Sequence, residues 1–190
     1  MSEQELVKQL RNGEEPAFKE LVTLFQQKVF NTALNFLQNF QDAEDTAQEV
    51  FIQVYHSINQ FRENASLSTW IYRITISKCQ DHIRSKKRKK RFAFISSLFS
   101  DKNQLLHDSP VFEHPGVQLD RKEDAAILFN LLDSLPDSQK TAFILNKIEG
   151  LSYAEIGGIM NISESAVDSL LQRGKQNLRK KINHKLFRPG

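Results

Sequence analysis

From Pro16 to Phe40, apolar residues return every three or four positions: Phe18, Leu21, Val22, Phe25, Val29, Ala33, Phe36, Leu37 and Phe40. That period predicts a long amphipathic helix, with Pro16 suited to its first turn. A second helix, from about Asp42 to Ile58, collects Ala43, Ala47, Val50, Phe51, Val54, Tyr55 and Ile58 on one face. A third runs from about Ser68 to the basic run at Arg84, with Tyr72, Ile76, Cys79 and Ile83 in line as core. Between Phe92 and Asp120 the period fades while Ser96, Ser97, Pro110, His114, Pro115 and Gly116 collect, so a linker of about thirty residues is expected there. Helical periodicity resumes at Arg121, runs to about Ser134, breaks at Pro136 and ends again near Gly150. No strand-like alternation and no internal repeat interrupts this. The expected fold is all-α: two small helical domains, 1–91 and 121–190, joined by a flexible linker over 92–120.

The most structured short stretch is "YAEIGGIMNISESAVDSLLQR", Tyr153 to Arg173. Ser152 with Glu155 three residues on forms a capping box, so a helix begins near Tyr153. Ile156, Ile159 and Met160 keep helical spacing, and Asn161 stands where a left-handed residue is needed, a conformation Asn tolerates. Ser163 can cap a second helix whose inner stripe is Val167, Leu170, Leu171 and Leu178. Gly157 lies where the two helices cross, and the absence of a side chain permits close approach. The spacing is that of a helix-turn-helix, although a plain helical hairpin shares it.

Composition narrows the possibilities. Hydrophobic content of 39% with 26% charged residues is that of a folded soluble chain. No apolar run approaches the ~20 residues of a membrane span, and "MSEQELVKQL" lacks the form of a signal peptide, so a cytoplasmic protein without direct membrane insertion is expected. A single cysteine excludes an internal disulfide, no Cys/His cluster has zinc spacing, and the five histidines are scattered. No metal, no cofactor and no catalytic constellation is expected.

The net charge of +3 is unevenly laid out. Fourteen of the 26 Lys and Arg fall in two runs without acids, Arg84–Arg91 and the tail from Gln172, which leaves 12 against all 23 Asp and Glu. Two basic patches on an acidic body imply two kinds of partner, or simply solvated charge. In the tail, Arg173, Lys175, Arg179, Lys180, Lys181, Lys185 and Arg188 follow a helix that begins with small polar residues, which suits a groove flanked by phosphates.

Two further stretches bear on partners. Opposite the core face of the second helix lie Asp45, Gln48, Glu49, Gln53 and His56, with Ile52 in their midst, an apolar anchor ringed by polar groups that fits a protein contact. In "FRENASLSTWIYRI", aromatic residues beside Arg73 suit unstacked bases, while Trp70 can equally be a core residue. Asn64 and Ser66 can read an extruded base or cap a helix.

These stretches, in this order, resemble the extracytoplasmic-function group of bacterial RNA polymerase sigma factors. "DAEDTAQEVFIQVY" resembles the group's core-binding segment, "FRENASLSTWIYRI" its promoter-melting and downstream-element region, and "LSYAEIGGIMNISESAVDSLLQRGKQNLRKKI" its upstream-element reader. The resemblance implies a protein without chemistry of its own that docks on polymerase core and directs it to promoters. It assigns Asp42, Asp45, Gln48, Glu49, Ile52 and Gln53 to core binding, with Asp45, Gln48 and Glu49 matching the residues that grip a coiled coil of the largest-subunit clamp. It assigns Arg62, Asn64, Ser66, Trp70, Arg73, Lys78, Arg84, Lys86 and Lys87 to the downstream element. There Asn64, Ala65, Ser66 and Leu67 occupy the loop that receives a flipped non-template base. Ser163, Ser165, Ala166, Asp168, Ser169, Gln172, Arg173 and Lys175 fall on the upstream reader. The implied partners are core polymerase, promoter DNA both double-stranded and melted, and an anti-sigma factor wedged between the domains. The implied linker path leads toward the polymerase active-site channel, with Asp101, Asp108 and Glu113 mimicking nucleic-acid charge.

The chain departs from the family pattern at two positions: Asp168 stands where Lys or Arg is common, and Asn161 replaces the usual turn glycine. A carboxylate at a groove position can accept from a cytosine amino group, or orient Arg173 or Gln172 and repel unwanted bases. Three other readings compete. A stand-alone helix-turn-helix regulator needs a dimer interface and paired half-sites, a nucleic-acid enzyme needs a metal or nucleophile cluster, and a helical adaptor leaves the basic runs without purpose.

Overall fold

The computed structural model describes residues 2–98 and 122–186, and all regular structure among them is helical. Helix α1 (Glu3–Arg11) opens on Ser2, whose hydroxyl accepts from the Glu5 N–H at 3.2 Å, and it buries Leu6, Val7 and Leu10. Helix α2 (Glu15–Leu37) has Pro16 in its first turn and stops where Gln38 turns left-handed, φ 60° and ψ 18°. Helix α3 (Phe40–Ser57) starts under an Asn39 cap, the Asn39 side chain accepting from the Asp42 N–H at 2.8 Å. A 3-10 turn over Ile58–Gln60 and a loop lead to α4 (Leu67–Leu98). Beyond the linker come α5 (Lys122–Asp133), α6 (Asp137–Phe143) with a π-turn over Ile144–Ile148, α7 (Tyr153–Met160) and α8 (Glu164–Leu186).

Three boundaries differ from the pattern reading. Helix α1 is short enough that its three buried residues make no visible period. Helix α2 ends at Leu37, so Phe40 belongs to α3 and meets Phe30 edge-on, ring centroids 5.2 Å apart. Helix α4 continues through the basic run and past Phe92 to Leu98. Lys and Arg are among the better helix formers, like-charge pairs cost only a few tenths of a kcal/mol, and no Gly or Pro occurs between Leu67 and Pro110. The remainder of the expected linker, with Asp101, Asp108 and Glu113, lies outside the described residues.

Two hydrophobic clusters hold these helices. One packs α1, the first part of α2, the second half of α3 and the start of α4 around Leu6, Leu21, Val50, Val54, Phe61 and Leu67. The other joins the C-terminal end of α2 and the middle of α4, through Leu34, Phe36, Tyr72, Ile76 and Cys79, to Leu132, Ile144, Ile156, Val167 and Leu171 of the C-terminal helices. The two helical sets are therefore packed against each other. Cys79 is 0% exposed in this shared cluster, and burial pushes its thiol up to about 12.

Candidate polymerase-docking and nucleic-acid surfaces

Helix α3 divides its faces cleanly. Ala43, Thr46, Val50, Val54 and Ser57 form the buried stripe, while Asp45, Gln48, Glu49 and Gln53 are exposed. Ile52 stands among them 57% exposed, the solvent-facing apolar side chain expected from the pattern. Tyr55 was expected in the core and is not: it is 54% exposed and rests edge-on against Phe18 at 5.4 Å and His56 at 5.6 Å. The reason is geometric, because only one narrow stripe of α3 faces α2 and α4, and Tyr55 falls at its margin.

The acidic face of α3 and the basic face of α4 border a single groove. Asp42 accepts from Lys86 at 2.9 Å and lies 3.4 Å from His82 Nε2, and Glu49 lies 3.6 Å from Lys78. Asp42 is thus partly neutralised, whereas Asp45, which accepts from Gln41 at 3.1 Å, remains exposed. Arg84 pairs with Asp81 at 2.6 Å, and Lys87 lies exposed beside it. Pairs with this exposure are worth about 0–1 kcal/mol each, so these cations can exchange an internal carboxylate for a phosphate at small cost.

Arg62, Asn64 and Ser66 stand exposed on the loop before α4. The Ser66 hydroxyl accepts from the Thr69 N–H at 3.1 Å, so it is a helix cap in this state. Trp70 is half-buried and packs on the first hydrophobic cluster against Phe61, with ring centroids 5.1 Å apart. Arg73 does not face solvent alone: its Nε and Nη2 donate to the Gly158 carbonyl on α7, at 3.1 and 2.5 Å.

The helix-turn-helix of the C-terminal set is built as its residues require. Ser152 and Glu155 form the reciprocal capping box, which holds the Glu155 carboxyl below its ordinary range. Asn161 adopts φ 55°, ψ 48° at the turn, and its N–H bonds back to the Gly157 carbonyl. A Cβ on Gly157 would lie 2.8 Å from the Ile162 carbonyl oxygen, so the crossing has room for hydrogen only. Ser163 caps α8, accepting from the Ala166 N–H at 3.2 Å. Val167, Leu171 and Leu178 are buried and Leu170 half-buried, which leaves Ser165, Ser169, Gln172, Arg173 and Lys175 exposed and Ala166 and Asp168 half-exposed. The Ser169 hydroxyl and Arg173 Nε donate to the Ser165 and Ser169 carbonyls, at 2.9 and 3.1 Å. The Tyr153 hydroxyl lies 3.5 Å from Asp168, an approach across the two helices that the sequence pattern did not disclose. Arg179, Lys180 and Lys181 are exposed, Lys181 donating to the Ser134 carbonyl at 3.0 Å, and Arg188 lies outside the described residues.

Residues 21–89 match the family model Sigma-70 region 2, and residues 125–178 match Sigma-70, region 4. The chain is 32% identical over 183 residues to the ECF RNA polymerase sigma factor SigW of Bacillus subtilis (strain 168), covering 93% of this chain and 94% of that one. The chain belongs to the ECF sigma factors. Two further relatives of this sigma factor are the sigma-H factor of Pseudomonas aeruginosa, 29% identical over 95% of the chain and 93% of the relative, and the sigma-E factor of Escherichia coli (strain K12), 26% identical over 96% and 95%. Among solved structures the fold is shared with CnrH in complex with the cytosolic domain of CnrY, at TM-score 0.66 and 19% identity over 96% of this chain and 97% of that one. It is also shared with RpoE in complex with the anti-sigma factor NepR from Bartonella quintana, at TM-score 0.58 and 19% identity over 90% and 98%. The family is one of transcription initiation factors. In this sigma factor no helix among the described residues is long and apolar enough to cross a membrane, and none of them form a group that could hold a metal ion.

Proposed function

We propose that this sigma factor docks on RNA polymerase core through the exposed face of α3, with Ile52 as apolar anchor and Asp45, Gln48, Glu49 and Gln53 around it. Asp42 joins once Lys86 and His82 release it. The loop at Arg62–Ser66 and the first turns of α4, with Trp70 and Arg73, engage the downstream element as it melts. Lys78, Arg84, Lys86 and Lys87 follow its phosphates. The outward face of α8, Ser163 to Lys175, reads the upstream element in the major groove. Residues 1–91 and 121–190 act as the two promoter-reading units and 92–120 as their tether, the first unit carrying the extension of α4 to Leu98. The protein works in the cytoplasm without catalysis of its own, and an anti-sigma factor restrains it, a reading supported by the fold it shares with RpoE in complex with the anti-sigma factor NepR.

The observation that carries this reading is that a chain related to SigW over nearly its whole length leaves both Ile52 with its acidic ring and the outer face of α8 uncovered. The test is in vitro transcription with purified core polymerase, with and without the protein, on genomic promoter fragments, together with core binding by Gln48→Ala/Glu49→Ala. Loss of core binding at unchanged thermal stability is expected, because both side chains are exposed. Unaltered core binding would refute the docking assignment, and specific binding to a palindrome by the isolated protein would favour a stand-alone regulator.

A further inference from the structure

The loop from Arg62 to Ser66 forms neither helix nor strand, and at one point its backbone is strained. Glu63 is left-handed, φ 56°, a region that a residue with a Cβ holds only when its surroundings impose it. What imposes it is α1. At the C-terminal end of α1, Arg11 Nη2 donates to the Phe61 carbonyl at 2.6 Å while Nη1 pairs with the Glu63 carboxylate at 2.8 Å. At the other end, Glu3 Oε1 accepts from the Leu67 N–H at 3.0 Å. Leu67 is 1% exposed, so without Glu3 the first N–H of α4 would be a buried donor with no partner. Ser66 serves the next free donors, its hydroxyl accepting from the Thr69 N–H and its carbonyl from the Trp70 N–H. The start of α4 is therefore capped locally by Ser66 and from α1 by Glu3, whose carboxylate also meets the positive end of the helix dipole. Beneath both contacts, Leu6, Val7 and Leu10 share one cluster with Phe61 and Leu67. Glu3 and Arg11 stand about 12 Å apart along the helix axis, so one rigid element holds the residue before the loop and the residue after it.

From this clamp we infer that α1 is a strut for downstream-element recognition: Arg11 and Glu3 are positioning residues that fix the loop receiving the non-template base, without touching DNA themselves. A loop left free would have to order as the base enters, and that entropy would be lost from binding. A loop ordered beforehand loses little, and its fixed shape can tell one base from another. The residue types suit the part. Arg11 offers its N–H groups in a planar fork, so the Phe61 carbonyl and the Glu63 carboxylate are fixed relative to each other, which the single ammonium of a lysine cannot do. The guanidinium is 37% exposed and each of its contacts is modest, but both act at the strained turn. Arg62, Asn64 and Ser66 stay exposed, so the side chains that meet the base are distinct from those that place them. This rests on the assignment of the loop to the downstream element; the clamp itself does not.

The clamp is tested first on the free full chain. Trypsin cuts after Arg62 only when the loop leaves its folded shape, so the rate at which the fragment ending at Arg62 forms reports the clamp. Arg11→Ala should speed that cut about fivefold or more, the factor that one lost hydrogen bond supplies. Glu3→Ala should speed exchange of the Leu67 amide by a similar factor, and Glu3→Gln, which keeps an acceptor, should restore it, with helical circular dichroism the same throughout. A rate equal to the wild type in either alanine variant would overturn the clamp. Recognition is tested on the holoenzyme. Wild type and Arg11→Ala are given a promoter fragment that the wild type opens, its downstream element held single-stranded by mismatch and its non-template bases randomised, and bound DNA is sequenced. Arg11→Ala should lower the base preference about fivefold at one non-template position, again the worth of one hydrogen bond, and leave the other positions, core affinity and upstream-duplex affinity unaltered. A preference equal to the wild type, or an equal loss at every position, would refute the positioning role. If the wild-type holoenzyme opens no fragment, or prefers no non-template base, the assigned function of the loop fails instead, while proteolysis and amide exchange still decide the clamp.

Discussion

Gly157 and Gly158 are adjacent, yet the structure assigns them opposite tolerances. In Gly157→Val the new branching carbon is forced to within 2.8 Å of the Ile162 carbonyl oxygen, against the roughly 3.3–3.6 Å of close C···O contacts. The obstruction is backbone, in the turn that sets the angle of α8 on α7, so relief requires moving the recognition helix. Overpacking of this kind costs about 1–3 kcal/mol, and β-branched valine recovers only a few tenths of a kcal/mol of helix propensity over glycine, so a net loss of about 1–3 kcal/mol is expected. In Gly158→Ala the methyl group meets Thr69 Cγ2 at 3.7 Å, ordinary contact, and stability should be unchanged or higher by about 0.5 kcal/mol. Urea denaturation followed by circular dichroism measures both. Binding of duplex upstream-element fragments by the full chain should fall for Gly157→Val and hold for Gly158→Ala. Equal stability of the two variants, or a Gly157→Val protein with undiminished upstream-element affinity, would refute the close crossing.

Two other outcomes follow from the same geometry. Asp168→Ala should alter which upstream sequences are preferred in a randomised-site selection, because Asp168 stands half-exposed among the outward residues of α8. Lys180→Gln should weaken binding to all sequences alike and lower the salt slope by about 0.9, whereas a uniform effect of Asp168→Ala would argue against base reading. Glu149 responds to pH. Burial raises its carboxyl above the ordinary value, against the pull of its hydrogen bond from Asn35, the nearby Thr32 hydroxyl and the Lys28 charge. A value raised in the folded protein means that the stabilising contribution of the neutral form is fully present below the usual carboxylate range and is lost as pH rises through the shifted value. Glu149→Gln, which keeps an acceptor for Asn35, should therefore be more stable than wild type at neutral pH, the gap in thermal midpoint closing as the pH falls towards 4. A gap independent of pH would show that the charge of Glu149 is not what burial penalises.

The local architecture was legible in the sequence because the forces that write it act within a few residues. The capping box at Ser152, the left-handed Asn161 and the Ser163 cap are each set by side chains within three or four positions of the backbone they serve. The stripe of Val50 and Val54 and the isolation of Ile52 follow from the turn of a single helix. Resemblance to a known family then joined three such stretches into one reading, and the comparison with SigW carries it across 93% of the chain. Helix α4 runs past Phe92 because a fading hydrophobic period and the serines Ser96 and Ser97 do not by themselves end a helix that meets no Gly or Pro before Pro110.

Only the tertiary structure decided what the charged side chains do. Arg73, read as a DNA contact, caps α7 85 positions away, and Lys140, to which the pattern assigned no role, completes α2. Lys86 and Lys78, expected on phosphates, border the very carboxylates of α3 expected on polymerase. A hydrophobic period selects a helix face because every turn repeats the same neighbours. An ion pair or a cap between distant helices depends instead on how those faces are brought together, and the carbonyl left over at the end of one helix carries no mark in the sequence of which cation will reach it.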